Sequence, residues 1–377
     1  MSNDIEWKMV KLGDVCDIRM GQSPEGQFYN YKQIGLPLIQ GNADIENRKT
    51  IIRSYTSYIT KTCDAGDYIL SVRAPVGAIA KATFKACIGR GVCAFSYPND
   101  YLYQYFIFIE NRWGEVSTGS TFDSINGPAL RKVLIPLPYK NDSPDLETQK
   151  QIAQKLGDMD SLIAAKEKLL AKKRNLKVAA MQKLIKDEEG ENWKKVKIGD
   201  YLRVKTGSKN TEDKIDDGKY PLYVRSPIVE RINEYTHDCE AVLTAGDGVG
   251  TGKVFHYVNG KFAAHQRVYV ISNFTEIDGK YFYYQFSQNF YDEVMKYTAK
   301  SSVDSVRRGM ITGMEIALPF NSDGSPDLIE QRRIASILSD MDSEIDAIEK
   351  EITKLQNMKT AMMQKMFCFG NSNSSSE

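Results

Sequence analysis

The chain of 377 residues carries 50 lysines and arginines against 49 aspartates and glutamates, a formal net charge of +1. It is therefore not basic as a whole, and any surface for a polyanion must be a local patch offset by acidic ground elsewhere. With 42% hydrophobic and 26% charged residues it has the make-up of a folded protein of two or more domains, which excludes a largely disordered chain.

The N-terminal MSNDIEWKMV has no signal-peptide apolar run, and no window approaches 18 uninterrupted apolar residues, so a soluble cytoplasmic protein without membrane spans is expected. The cysteines at 16, 63, 87, 93, 239 and 368 form no CxxC pair. They read as reduced thiols used as core filler, with no metal site expected. WKMVKLGD at 7–14 opens a region of short strands broken by turn residues, at 36–40, 68–72, 77–83 and 91–96. The aromatic-rich stretch 101–110 is predicted helical, its aromatic stripe belonging to a core. STGSTFDSI at 117–125 and IPLP at 135–138 close the region.

A long helical stretch follows, SPDLETQKQIAQKLGDMDSLIAAKEKLLAKKRNLKVAAMQKLI at 143–185. Ser143 can cap it, Pro144 suits its first turn and Asp145 suits the exposed amides there. Ile152, Leu156, Met159, Ile163, Leu170 and Leu184 keep one register, with Leu162, Leu169 and Leu176 on the neighbouring row. The chain then starts again. WKKVKIGD at 193–200 repeats the opening at an offset of 186, and Gly207 repeats Gly21. Strands are predicted at 221–225, 241–244, 253–257 and 267–272, and a second aromatic helix at 281–291. TAKSSVDSV at 298–306 and IALP at 316–319 close this region as they do the first.

The last element, SPDLIEQRRIASILSDMDSEIDAIEKEITKLQNMKTAMMQKMF at 325–367, matches 143–185 at 23 of 43 positions without a gap. Ile334, Leu338, Met341, Ile345, Ile348, Ile352, Leu355, Met362 and Met366 alternate at spacings of four and three, a heptad seam that needs a partner helix. The other copy is the obvious partner. If each globular part has its ends close together, the pair is antiparallel, with approximate two-fold symmetry and a globular part at each end. Lys166, Lys168, Lys172, Lys173 and Arg174 then face Glu344, Asp346, Glu349 and Glu351. The expected division is a globular domain at 1–142, a long helix at 143–190, a second domain at 191–324, a second helix at 325–369 and a disordered tail at 370–377. The fold class is α+β: two tandem domains of mixed α/β structure separated by two long helices that pair as an antiparallel coiled coil.

IPLP leading to Gln149, Ile152 and Ala153, then IALP leading to Glu330, Gln331, Ile334 and Ala335, resembles the specificity subunit of type I restriction-modification systems. The likeness covers essentially the whole chain; the first copy has Thr148 where the family usually has Glu. It implies two target recognition domains, each reading one half of a bipartite sequence in double-stranded DNA. It also implies that the paired helices set the spacing and dock methyltransferase subunits, two in number, with restriction subunits of translocase-nuclease type as a further partner. S-adenosylmethionine is then expected in the partner and no cofactor in this chain.

The residues agree with a non-catalytic role. No Pro-Pro pair is present to build an adenine methyltransferase loop, GDGVGTGK at 246–253 fails the phosphate-loop spacing, and only three histidines are available. A recognition subunit of another DNA-modifying assembly, a plain coiled-coil scaffold and a self-sufficient methyltransferase are the competing readings, the last disfavoured by the missing loop.

Sequence reading needs Arg, Lys, Gln and Asn on loops that enter a groove, with amides and hydroxyls on phosphates. In the first domain the candidates are Gln22, Ser23, Gln40, Asn42, Arg73, Arg90, Ser120 and Thr121. In the second they are Ser208, Lys209, Arg225, Ser226, Lys253, His265, Gln266, Arg267, Ser301 and Ser302. For the partner subunits the candidates are Lys172, Lys173 and Arg174.

Overall fold

The computed structural model of the protein describes residues 5–113, 124–185, 192–297 and 305–367. The chain forms two compact units, Met1–Glu167 with Lys350–Glu377, and Lys168–Glu349. Each unit thus combines one globular part with stretches of both long helices, Leu146–Ile185 and Leu328–Phe367, which are 40 residues each.

In the first unit the repeated opening motif is a strand. Glu6–Lys11 pairs antiparallel with Leu134–Lys140, setting Trp7 opposite Pro138 and Val10 opposite Ile135. The two motifs that bracket the globular part in sequence are therefore neighbours in space. A six-stranded sheet runs Ile18–Met20, Val92–Phe95, Tyr68–Ser71, Ile79–Lys81, Lys49–Thr50, Ile45–Glu46, and a smaller sheet holds Leu36–Ile39 beside Ala86–Ile88. The aromatic helix Tyr101–Ile109 is core, as its composition suggests. Tyr101 is fully buried and its hydroxyl donates to the Pro136 carbonyl at 2.6 Å, fixing the helix to the IPLP strand.

The second unit repeats this plan. Trp193–Lys197 pairs with Glu315–Pro319, and Tyr281 of the helix Gly279–Met295 donates to the Ala317 carbonyl at 2.8 Å. Its six-stranded sheet runs Arg203–Thr206, Val268–Ser272, His237–Ala245, Phe255–Ala264, Tyr220–Tyr223, Glu230–Ile232. The two central strands are longer than their apolar runs predict. Their polar extensions, HDCE and NGK, pair with each other across the hairpin, so backbone bonding supplies what periodicity does not show.

The helix starts differ from expectation. Ser143–Pro144 is not the cap and first turn but a two-residue strand on Tyr139–Lys140, and Pro326 bridges Phe320 likewise. The chain doubles back on the preceding strand, where Pro138 and Pro319 carbonyls accept the Asp145 and Asp327 N–H groups at 2.8 and 2.7 Å. The capping groups are those aspartates. Asp145 Oδ1 accepts from the Thr148 N–H at 3.1 Å and Asp327 Oδ1 from the Glu330 N–H at 3.0 Å. Hydrogen bonds from Thr148 hold the Asp145 carboxyl below the usual carboxylate range.

Inside each unit the helix stretches pair antiparallel. In the first, Lys166 meets Glu351 at 2.7 Å and Asp160 meets Lys359 at 2.5 Å. In the second, Lys173 meets Glu344 and Arg174 meets Glu349, both at 2.6 Å, and Lys177 meets Asp342. Ile152, Leu156, Met363 and Phe367 join the core of the first unit, where the Phe367 ring lies 5.5 Å from those of Tyr101 and Tyr105. Met181, Ile185, Ile334 and Leu338 do the same in the second.

The neighbouring row of the first copy is not part of the seam. Leu162, Leu169 and Leu176 are exposed, while the half-buried Lys166, Lys173 and Lys177 face the other helix and pair there with acids. Lysine stems cover apolar surface while their ammonium groups reach the flank, which is why this copy reads as the looser one.

Candidate nucleic-acid interface

The first-unit candidates gather where the strands Ile18–Met20, Leu36–Ile39, Tyr68–Ser71 and Ala86–Ile88 all end. Backbone bonds knit these loops together. The Gln22 N–H donates to Ile88 O at 2.9 Å, Gly89 N–H to Ile39 O at 2.8 Å and Val72 N–H to Gly91 O at 2.9 Å. The second unit makes the matching bonds: Ser208 N–H to Ala264 O at 3.0 Å, His265 N–H to Tyr223 O at 2.9 Å and Gly246 N–H to Arg267 O at 2.8 Å. Gly21 and Gly207 permit the packing. A Cβ on either would lie 2.1 Å from a carbonyl oxygen, of Gly89 in one unit and Ala264 in the other.

By these bonds Gln22 corresponds to Ser208, Arg90 to Gln266 and Arg73 to Asp247, and the bridge of Arg73 to Ser124 matches that of Asp247 to Ser305. The backbone platform is thus shared, and the side chains it presents are not. Gln22, Gln40, Arg73 and Arg90 stand exposed on the first; Ser208, Arg225, Gln266 and Arg267 stand exposed on the second. Asn42 is half-buried beside Gly41, in a loop shaped by the buried Asp44, whose Oδ2 accepts the Gln40 N–H at 2.7 Å.

Other candidates shape loops instead of projecting from them. Ser23 Oγ accepts from the Arg90 N–H at 3.1 Å, and Ser226 Oγ from the Ile228 N–H at 3.1 Å. His265 is 6% exposed, too buried to reach a groove, and its Nδ1 accepts the Arg267 N–H at 3.0 Å. Burial first, then the Arg225 and Arg267 charges, lower its pKa and keep that acceptor free. Lys209 pairs with Glu234 at 3.2 Å, and Lys253 lies over the Tyr291 ring at 5.7 Å. Ser120, Thr121, Ser301 and Ser302 lie outside the described residues.

Asp247, within the GDGVGTGK stretch, is not among the residues predicted from the sequence. Its Oδ1 accepts from Arg225 Nη1 at 2.7 Å and its Oδ2 from Arg267 Nη1 at 2.5 Å. Burial works to raise the carboxyl, but the two arginines outweigh it and hold it below the usual range. On the helices, Lys173 and Arg174 spend their charge on the partner helix, and Lys172 is exposed. Leu162, Leu169 and Leu176, one heptad apart, are partly exposed.

Burial pushes the Cys16 and Cys93 thiols up to about 12 and Cys63 to about 11, so these act as protonated core side chains. Among the described residues no group of three or more His, Cys, Asp and Glu side chains is placed to hold a metal ion, and no helix is long and apolar enough to cross a membrane.

Two loop platforms of one backbone design, each bearing a different set of arginine, glutamine and hydroxyl side chains, define a duplicated recognition module. The chain belongs to the family described as type I restriction modification DNA specificity domain, which matches residues 4–172 and again 190–357. It is similar to the MjaIX type I restriction enzyme specificity subunit of Methanocaldococcus jannaschii, with 24% identity over 96% of this chain and 92% of that protein. A protein of the same organism named as the MjaX specificity subunit is 36% identical over 43% of this chain, and the EcoDI specificity subunit of Escherichia coli is 28% identical over 47%. Those two matches span only 39% and 37% of the relatives' own lengths. The fold is that of the S subunit of a type I restriction-modification system from M. genitalium, with a TM-score of 0.69 over 97% of both chains at 15% identity.

Proposed function

We propose that this chain is the DNA sequence-recognition subunit of a type I restriction-modification complex, each unit reading one half-site of a bipartite target in double-stranded DNA. The observation that carries the proposal is the pair of loop platforms: equivalent backbone bonds hold non-equivalent base-reading side chains, which is what two different half-sites require. Exposed Gln22, Gln40, Arg73 and Arg90 read one half-site, and Arg225, Gln266 and Arg267 the other, with Ser208 and the remaining loop hydroxyls and amides on phosphates. The subunit itself is non-catalytic. Two methyltransferase subunits, binding S-adenosylmethionine, dock on the long helices and supply methyl transfer; restriction subunits join that complex, in the cytoplasm.

The helices act as the ruler. Forty residues make about 60 Å of helix, at most roughly 18 base pairs, and access from one side of the duplex favours half-sites near one helical turn apart. Mapping methylated adenines in cells that carry this chain and its methyltransferase should return one bipartite motif with an unread spacer. Inserting one helical turn in both long helices should change that spacer and leave both half-sites intact. A single uninterrupted motif, or a spacer that does not move, would refute the proposal.

A further inference from the structure

We propose that Asp247 is a specificity-determining positioning residue: it holds Arg225 and Arg267 side by side as a paired donor fork that reads guanine edges in the half-site of the second unit. The inference rests on the DNA-reading function and adds to it a residue that does not itself donate to a base.

The geometry is asymmetric in a useful way. The carboxylate is the sheltered member, its side chain 20% exposed, whereas the arginine side chains are 43% and 60% exposed. Each arginine gives one terminal nitrogen to a different carboxylate oxygen, which leaves most of the five N–H donors of each planar guanidinium without a partner among the described residues. The backbone brings all three together. Arg225 follows the strand Tyr220–Tyr223, Arg267 precedes Val268–Ser272, and Asp247 lies between them on the loop whose Gly246 N–H bonds Arg267 O. Gly250 admits the other arginine, since a Cβ there would lie 2.4 Å from the Arg225 carbonyl oxygen.

A bidentate arginine presented to guanine O6 and N7 is the commonest base-specific contact in the major groove. Two guanidinium groups brought this close repel each other unless an anion sits between them, so Asp247 lets both occupy one site and fixes the plane each presents. Fixing the donors before binding lowers the ordering cost of the contact. At the equivalent place in the first unit stands Arg73, itself exposed, so the two units differ in reading chemistry at this point.

The test is selection of bound duplexes from a randomised pool by the full-length chain assembled with its methyltransferase, comparing the unaltered chain with Asp247→Asn, Asp247→Glu and Arg267→Lys. The unaltered chain should select two half-sites. Asp247→Asn should lose about tenfold in base discrimination at one or two adjacent guanine positions of one half-site only, with the other half-site unchanged and a steeper salt dependence. Asp247→Glu should recover most of the discrimination. Arg267→Lys keeps the charge but not the fork, and it should lose the same positions; a phosphate contact would tolerate it. Should Asp247→Asn fail to fold, Arg267→Lys decides alone. Retention of the same bases at the same stringency by the decisive variant would overturn the inference while leaving the DNA-reading function standing. An unaltered chain that selects no sequence would remove both.

Discussion

A methyl group added at residue 207 has no room. The new Cβ would lie 2.1 Å from the Ala264 carbonyl oxygen, the same oxygen that accepts from the Ser208 and Lys209 N–H groups. Gly207→Ala must therefore push the 207–209 loop off the strand that holds it, and it should destabilise the protein by about 1–3 kcal/mol, the usual range for overpacking. Gly26→Ala, where nothing lies within 4 Å of the new atom, should change stability by less than about 0.5 kcal/mol. Denaturant unfolding of both variants checks this pair, and equal losses would show that the close approach is not what Gly207 serves. The glycine at 21 makes the same argument in the first unit, so one steric requirement explains why Gly21 and Gly207 recur in a repeat whose surrounding loops diverge.

The long helices were legible as elements, and so was part of their flanking charge, since Lys166, Lys173 and Arg174 pair with the expected Glu351, Glu344 and Glu349. The length and seam of the helices follow from the heptad pattern of the second copy, because Ile334, Leu338, Ile345, Ile348 and Ile352 leave a single stripe to bury, and their antiparallel pairing within each unit follows from globular parts whose chain ends lie close together. The first copy is ambiguous, since a row of leucines looks more like a seam than a row of lysines does. The structure places Lys166, Lys173 and Lys177 there because acids on the facing helix pair with them; the antiparallel register foretells the acids opposite Lys166 and Lys173, whereas Asp342, 165 residues from Lys177 in the chain, is brought to it only by the fold. Asp247 was illegible for a similar reason: only the fold brings residues 225 and 267 to it. The leucines carry a prediction. Leu162, Leu169 and Leu176 are 43%, 37% and 46% exposed, so each is more than half covered, and replacing all three with serine should destabilise the protein by roughly 2–4 kcal/mol. Denaturant unfolding checks this, and a loss below about 1 kcal/mol would show that the covered parts of these side chains contribute nothing.

At the scale of the whole molecule the two units share a plan but not a response to acid. His237, His256 and His265 all fall in the second unit, and all three have pKa values lowered from the ordinary 6.5, with burial as the largest cause in each case. The sign follows from which state binds the proton. Above 6.5 both folded and unfolded chains leave these rings neutral, so the contribution to stability is full; as pH falls below 6.5 the unfolded chain takes up protons that the folded one refuses, and stability is lost down to the lowered folded values. The loss has a local consequence, because protonating His265 Nδ1 removes the acceptor of the Arg267 N–H and so loosens the loop that carries Arg267. Hydrogen exchange measured from pH 7.5 to pH 5 and corrected for intrinsic rates should show residues 201–272 losing protection before the strands of the first unit, which contains no histidine. His265→Gln should reduce that slope. The first unit does have a pH-sensitive pair: Asp100 is held below its ordinary value of 3.8, because hydrogen bonds from Lys81 and Tyr68 outweigh the burial that works to raise it. That contribution is lost only as the pH falls below 3.8, outside the histidine window. Between pH 6.5 and 5 the second unit should therefore loosen first, and simultaneous loss of protection in both units would refute the histidine account.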